Sequence, residues 1–477
     1  MLNSLRKNLI YNSIYQLLVI LTPLITSPYI SRVLGADGIG TYSYNYTVAN
    51  YFLVFAMLGV ANYGNRSISK ARDNKEEYSK TFWSIYFFQI TFSLIIIILY
   101  FLYFFFLCKT NRLIVLIESL VVMSSIFDVT WLFFGLELFK VTTIRSIIVK
   151  LFTVVSLLIF VRNNKDVWIY CLIMSLGILA NQILLWPMVV RYVKWSKPTI
   201  NEILSNLRPN LILFLPVVAI SLFVYIDKLM LGIYSTYSEL GYFDNADKIT
   251  SIPMSLITAL GTVMLPRMSY IAKKKDKNLE NELNEYSMFI AVLMSSAFAF
   301  GIMGITKPFV PLFFGKGFTP VGTLLLIMAP KMIFISWANI IRNQYLLPHS
   351  RDLSYTISVF IGAIVNLVIN ILLIPRYGAN GAAIGSIITE LLITTAQTIM
   401  AWKYMEISKF VKNGIPLILI GLVMYIGIVN ISFDNLLVTV LLRIISGAVI
   451  YIILVLIYTF FFRKKIFNSL LSGKLQV

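Results

Sequence analysis

The chain has 477 residues, of which 58% are hydrophobic and only 13% charged. Mean hydropathy is +0.83. A water-soluble domain carries about a quarter charged residues, so there is too little polar surface here to cover a globule, and most of the chain must be solvated by lipid. A formal charge of +19 raises the question of nucleic acid. The basic residues, however, fall in short runs between long apolar segments, which is the charge bias of membrane topology and not a nucleic-acid footprint.

Stretches of about 20 apolar residues are long enough to cross the hydrocarbon core. In chain order they lie near 9–31, 40–63, 82–107, 112–135, 140–161, 167–190, 210–233, 241–265, 286–306, 319–341, 354–374, 379–402, 414–431 and 436–462. The expectation is an all-α polytopic membrane protein with about 14 spans. The first stretch outruns a signal-peptide core and lacks a small-residue cleavage site, so it reads as a retained helix. Basic runs at Arg6–Lys7, Arg66–Lys80, Arg191–Arg208, Lys273–Lys277 and Arg463–Lys465 alternate with poorly charged loops. That alternation places both termini in the cytoplasm. The stretches Lys194–Leu207 and Ser269–Asn284 are amphipathic and lysine-rich, suited to a membrane face or to a solvated connector.

A faint repeat has a period of about 200 residues. Arg32-Val-Leu-Gly35 precedes Gly40-Thr-Tyr-Ser-Tyr-Asn45; Lys228-Leu-Met-Leu-Gly232 precedes Gly241-Tyr-Phe-Asp-Asn245. Trp131 and Trp337 fall at similar points of the two halves. Duplicated halves are a common transporter plan. They suggest six helices in residues 1–200, six in 201–405, and two further helices with a tail in 406–477.

Charges inside spans are expensive and normally face a cavity or a partner. The basic ones are Arg145, Lys150, Lys228, Lys248, Lys331 and Arg443; the acidic ones are Glu118, Asp128, Asp227, Asp244, Asp247 and Glu390. Asp244 and Lys248 are four apart and suit a local pair. Lys228 and Arg443 lie toward span ends, within snorkelling reach of an interface. Arg145 and Lys150 share a helix with no acid within four residues of either, and Lys331 has no local acid. Cations lining a cavity suit a phosphate-bearing substrate.

Other chemistry finds little support. Cys108 and Cys171 sit far apart in apolar segments, and the single histidine, His349, follows Pro348 in a loop. No cofactor, zinc or haem site is expected from these. There is no Walker-type phosphate loop. Gly35-Ala-Asp-Gly-Ile-Gly40 reads as a tight turn, and Ser67-Ile-Ser-Lys70 as a chance match to a hydrolase motif. Gly381 and Gly385 have the spacing of close helix packing, while Pro23, Pro28, Pro216 and Pro253 mark kinks.

Four segments together resemble the polysaccharide transporter (oligosaccharide flippase) family of the multidrug/oligosaccharidyl-lipid/polysaccharide exporter superfamily. They are Ser31–Tyr42 after Pro28-Tyr29; Asp128–Glu137 with Ile144-Arg-Ser146; Asp227–Gly232 with Gly241–Lys248 and Pro266-Arg267; and Pro375–Ala382 with Glu390. The resemblance covers about residues 5–405. It implies two six-helix lobes around an alternately opened cavity, plus two peripheral helices. It also implies a substrate, an undecaprenyl-diphosphate-linked oligosaccharide flipped across a bacterial cytoplasmic membrane for capsule, O-antigen or exopolysaccharide assembly. Polysaccharide polymerase and chain-length machinery are the candidate protein partners. Arg32, Arg145, Lys228 and Lys248 carry over as diphosphate ligands by motif position, and Lys150 and Lys331 join them on their charge alone. Asp227 and Asp244 are the candidates for a coupling ion. The rival readings are a lipid II flippase, a multidrug antiporter of the same fold, and a membrane polymerase or ligase.

Overall fold

The computed structural model describes residues 2–463, without the side chains of 2–20, Pro216 and Phe223. The side chains of Arg6 and Lys7, together with Lys464, Lys465 and the rest of the tail, therefore lie outside the described residues. Helices are the only regular structure of the described residues, with no strand among them. This follows from the solvent: lipid offers no hydrogen bonds, so the backbone must satisfy its own, and a helix does so within one segment.

Two compact units divide the chain, the first being residues 1–232 and 236–241 and the second 233–235 and 242–477. The first contains α1 (Leu2–Met57), α2 (Val60–Ala71), α3 (Lys75–Leu102), α4 (Arg112–Phe127), α5 (Thr130–Gly135), α6 (Phe139–Phe160), α7 (Val167–Ile183), α8 (Trp186–Tyr192), α9 (Ile200–Ser205) and α10 (Leu207–Tyr234). The second contains most of α11 (Tyr237–Lys274), then α12 (Lys277–Phe313), α13 (Thr319–Met328), α14 (Lys331–Ile341), α15 (Asp352–Ala401), α16 (Ile407–Val429) and α17 (Leu436–Phe462).

Eleven helices among the described residues are long and apolar enough to cross a membrane. The two longest are broken. Gly35 interrupts α1 with φ 69 and Gly378 interrupts α15 with φ 53, a left-handed backbone that glycine adopts without steric cost. The turn expected at 35–40 is therefore a kink in continuous helix, and so is the break expected between 374 and 379. α11 and α12 likewise run on past the expected ends of their spans. They take up most of the stretch 269–284 and leave only a turn at Lys275 and Asp276.

Local sequence explains the junctions. Asn74 accepts from the amides of Glu76 and Glu77 at the start of α3, and those acids suit the positive end of the helix. Asp128 accepts from the Thr130 amide at 3.0 Å where α4 turns into α5. Trp131 is then driven into the core, its indole donating to Gln89 Oε1 at 3.0 Å, while Gln89 Nε2 donates to the carbonyls of Ser125 and Asp128. Gly64 lies flat beneath the Trp131 ring, where a β-carbon would stand 2.5 Å from it. Phe82, Phe133 and Ile68 complete this core.

In the second unit Phe289, Met332, Phe410 and Leu417 form the corresponding core. Gly381 packs on the Leu373 carbonyl and Gly385 on the Asn370 side chain, both across the Gly378 break, so these small residues let the two arms of α15 approach closely. Large apolar side chains such as Phe106, Phe152, Leu372 and Phe462 remain more than 60% exposed. That is the outward surface a lipid-solvated protein presents.

Candidate functional site

In the first unit α6 carries two cations. Arg145 is half-buried and donates to Ser146 Oγ at 3.0 Å, and Ser146 donates on to Asn181 Oδ1 of α7. Arg145 also lies within electrostatic reach of Asp128. Lys150 is half-buried too, but forms no ion pair or hydrogen bond among the described residues. Along the chain neither residue has an acid nearby; the fold supplies one near Arg145 and none near Lys150.

α10 places Asp227 and Lys228 side by side in sequence but in different surroundings. Asp227 is 8% exposed and within reach of Tyr51 on α1; Lys228 is half-buried and within reach of Tyr46. Tyr225 packs edge-on against Tyr51. Arg32 is exposed, one turn before the Gly35 break.

In the second unit the charges gather on α11. Lys248 Nζ sits 2.6 Å from Asp244, the pair that the i, i+4 spacing suggested, with Asp244 only 6% exposed. Lys331, at the first turn of α14, sits 3.3 Å from Asp247. Two acids and a lysine from about one turn of α11 thus meet a second lysine from α14. Spacing along the chain could not find the second pair, because its partners are 84 residues apart.

Other groups take on roles that the sequence did not assign. Arg443 does not snorkel. It is 4% exposed, and its guanidinium donates to the carbonyls of Ile431 and Gly304, both at 2.7 Å. Those carbonyls bind it more firmly than a distant interface would. Glu118 of α4 is fully buried and accepts from Ser175 Oγ of α7 at 3.1 Å. His349, expected as a plain loop residue, is 3.5 Å from Glu280.

Residues 5–272 match the family described as polysaccharide biosynthesis protein. The chain belongs to that family. The motifs at Ser31–Tyr42, Asp128–Glu137 and Asp227–Lys248 all fall within the match. Over 399 residues the chain is 28% identical to a relative of Escherichia coli (strain K12) named "Putative O-antigen transporter", covering 82% of this chain and 95% of that one. Among solved structures it is similar to a lipid II flippase, MurJ, in an inward closed conformation, with a TM-score of 0.75, 16% identity and coverage of 95% of this chain and 98% of the other. It is also similar to an inward-facing multidrug resistance MATE family transporter of the MOP superfamily, with a TM-score of 0.63, 14% identity and coverage of 84% and 99%. At these identities the structures establish the fold. The chain is thus a multi-pass membrane protein of the polysaccharide biosynthesis family that shares the helical fold of these two solved structures.

Proposed function

We propose that the chain flips an undecaprenyl-diphosphate-linked oligosaccharide repeat unit to the outer leaflet of the cytoplasmic membrane, for capsule, O-antigen or exopolysaccharide assembly. The observation that carries this reading is Lys150, a half-buried cation on a membrane-spanning helix that pairs with no acid among the described residues. A lysine in such a place is retained at a cost of a few kcal/mol, and a diphosphate passing through supplies the charge it lacks. Arg32, Arg145, Lys228, Lys248 and Lys331 are the further cations of the proposed cavity. Asp227 and Asp244 are the proposed ion carriers.

The mechanism is alternating access. The two lobes, 1–200 and 201–405, rock about the head group while the polyprenyl tail stays in lipid; residues 406–477 are peripheral, fourteen spans cross the bilayer, and both termini lie inside. Moving negative charge outward down an inside-negative potential gains about 2.3 kcal/mol per charge per 100 mV. Polymerase and chain-length machinery take over the flipped unit. The likeness to a lipid II flippase fold favours one second reading, transport of a peptidoglycan precursor.

An in-frame deletion separates the two. Loss of surface polysaccharide, with complete repeat units stranded on the cytoplasmic leaflet, supports the first reading. Loss of viability supports the second. Unchanged polymer and lipid pools overturn both.

A further inference from the structure

We propose that Glu118 is the proton-coupling group of the carrier, binding a proton from the outer side and releasing it to the cytoplasm once per transport cycle. This rests on the transport reading above and adds its energy source.

Glu118 is 0% exposed. One carboxyl oxygen accepts from Ser175 Oγ at 3.1 Å; the other, Oε1, is buried with no partner. The helices packed against α4 are α1, α3 with the turn Tyr103–Leu107 that continues it, and α7. The titratable groups they bring within reach of Glu118 are Tyr42 and Tyr46 from α1, Tyr100 from α3 and Cys171 from α7. Tyr170 of α7 stacks edge-on against Tyr42, 4.7 Å between centroids. The Tyr100 hydroxyl is already committed to the Val115 carbonyl at 2.7 Å. None of these groups is a cation, and Glu118 forms no ion pair among the described residues.

An unpaired charge sealed in such surroundings costs several kcal/mol. Binding a proton removes that cost, and no covalent rearrangement is involved: a carboxylate and a proton become a carboxylic acid, and the reverse. A purely structural role needs no ionisable group, since glutamine has the same shape and hydrogen-bonds the same serine. What glutamate adds is a change of charge.

That change has a route to the cargo. Tyr46 lies within electrostatic reach of both Glu118 and Lys228. A proton arriving at or leaving Glu118 therefore alters the field at a candidate diphosphate ligand without touching it. Asp227 and Asp244 keep their proposed role for a coupling cation other than the proton; Asp244 already shares its charge with Lys248, whereas Glu118 has no cation beside it among the described residues.

The test uses the full chain in two readouts. In a deletion strain, wild type and Glu118→Gln are expressed at matched membrane levels and surface polysaccharide is quantified. The expected result is a fall of about tenfold or more for Glu118→Gln, the scale of coupling between linked sites. Glu118→Gln that restores full polymer overturns the proposal and leaves the flippase reading standing. Wild type that restores nothing overturns the flippase reading itself, and the coupling with it.

The second readout covers a variant that fails to insert. Infrared difference spectra of the wild-type chain in phospholipid vesicles, recorded between acidic and alkaline buffer, should show the carbonyl band of a protonated carboxylic acid that titrates. Ser175→Ala should shift that band. A spectrum with no titrating carboxyl band, or with one that Ser175→Ala leaves in place, overturns the proposal.

Discussion

Gly40 on α1 and Gly241 in the first turns of α11 cross backbone against backbone. A β-carbon at Gly40 would stand 3.0 Å from the Gly241 amide and closer still to the Tyr237 carbonyl; one at Gly241 would stand 2.8 Å from the Ala36 carbonyl carbon. These two glycines head the corresponding stretches of the sequence repeat, so the repeated glycine is explained by a helix crossing that admits no side chain.

Replacing either glycine with alanine should therefore destabilise the protein. The obstacle is main chain, which no rotamer change relieves, and overpacking of this kind costs about 1–3 kcal/mol. Thermal unfolding of the purified full chain in detergent should show a lower midpoint for Gly40→Ala and Gly241→Ala. Gly301→Ala, where the nearest atom to a new β-carbon is a methionine methyl at 3.9 Å, should leave it unchanged.

Arg443 is predicted to be structural. Its two carbonyl partners lie on different segments, just past the end of α16 and in the later part of α12. Arg443→Leu leaves the buried Gly304 carbonyl unsatisfied, at about 1–3 kcal/mol, and removes the donor to the part-buried Ile431 carbonyl. The unfolding midpoint should fall while polysaccharide output per folded molecule stays at the wild-type level. A normal midpoint with lost transport would instead move Arg443 into the substrate path.

Outside the membrane, the α9 turn should be acid-sensitive. Thr199 and Glu202 form a reciprocal cap: the Thr199 amide donates to Glu202 Oε2 at 2.7 Å, and the Glu202 amide donates to Thr199 Oγ1 at 3.3 Å. The donation from the Thr199 backbone amide, aided by its side chain, holds the Glu202 carboxyl below its ordinary range. A depressed carboxyl contributes stability that is present above its unfolded value, near about 4.3, and is lost as pH falls through the folded value. Protection of the Thr199 and Glu202 amides, measured relative to the intrinsic exchange rate at each pH, should fall in that acid window, and Thr199→Ala should show the low protection already at neutral pH.

The helical class, the apolar spans and the Asp244–Lys248 pair were legible because each is written within a few residues. Twenty apolar residues declare a span, and four-residue spacing declares a shared helix face. Lys331 with Asp247 was not legible, since only the packing of α14 on the chain beyond it brings them together. Arg443 looked like a snorkelling end residue because its partners are carbonyls, which every sequence has everywhere. The kinks at Gly35 and Gly378 read as turns because glycine marks a change of direction without saying how much helix resumes after it. Glu118 was visible as an acid in a span, but its isolation from every described cation is a property of three neighbouring helices.

Lys331 and Asp247 lend themselves to a charge exchange. Lys331→Ala should lower surface polysaccharide, and so should Lys331→Asp. If the pair serves only to hold α14 against α11, the double exchange Lys331→Asp with Asp247→Lys restores transport. The proposed role in binding diphosphate predicts otherwise: the exchanged pair refolds normally but does not restore polymer, because the cation now stands on the other helix. Quantified polymer at matched membrane levels, alongside unfolding midpoints, distinguishes the two.

Lys150 offers the cleanest separation of function from stability. With no partner to lose, Lys150→Ala strands no buried acid, so its stability should stay within the narrow range of substitutions that break nothing, about 0.5 kcal/mol either way. Its polysaccharide output should nevertheless fall by about tenfold, the loss of one charge-assisted contact of roughly 1.4 kcal/mol. Lys150→Arg keeps the charge and should retain most of the output, and Lys150→Glu should abolish it by repelling the diphosphate. An alanine variant with full output would remove Lys150 from the path and, with it, the observation on which the cationic-cavity reading chiefly rests.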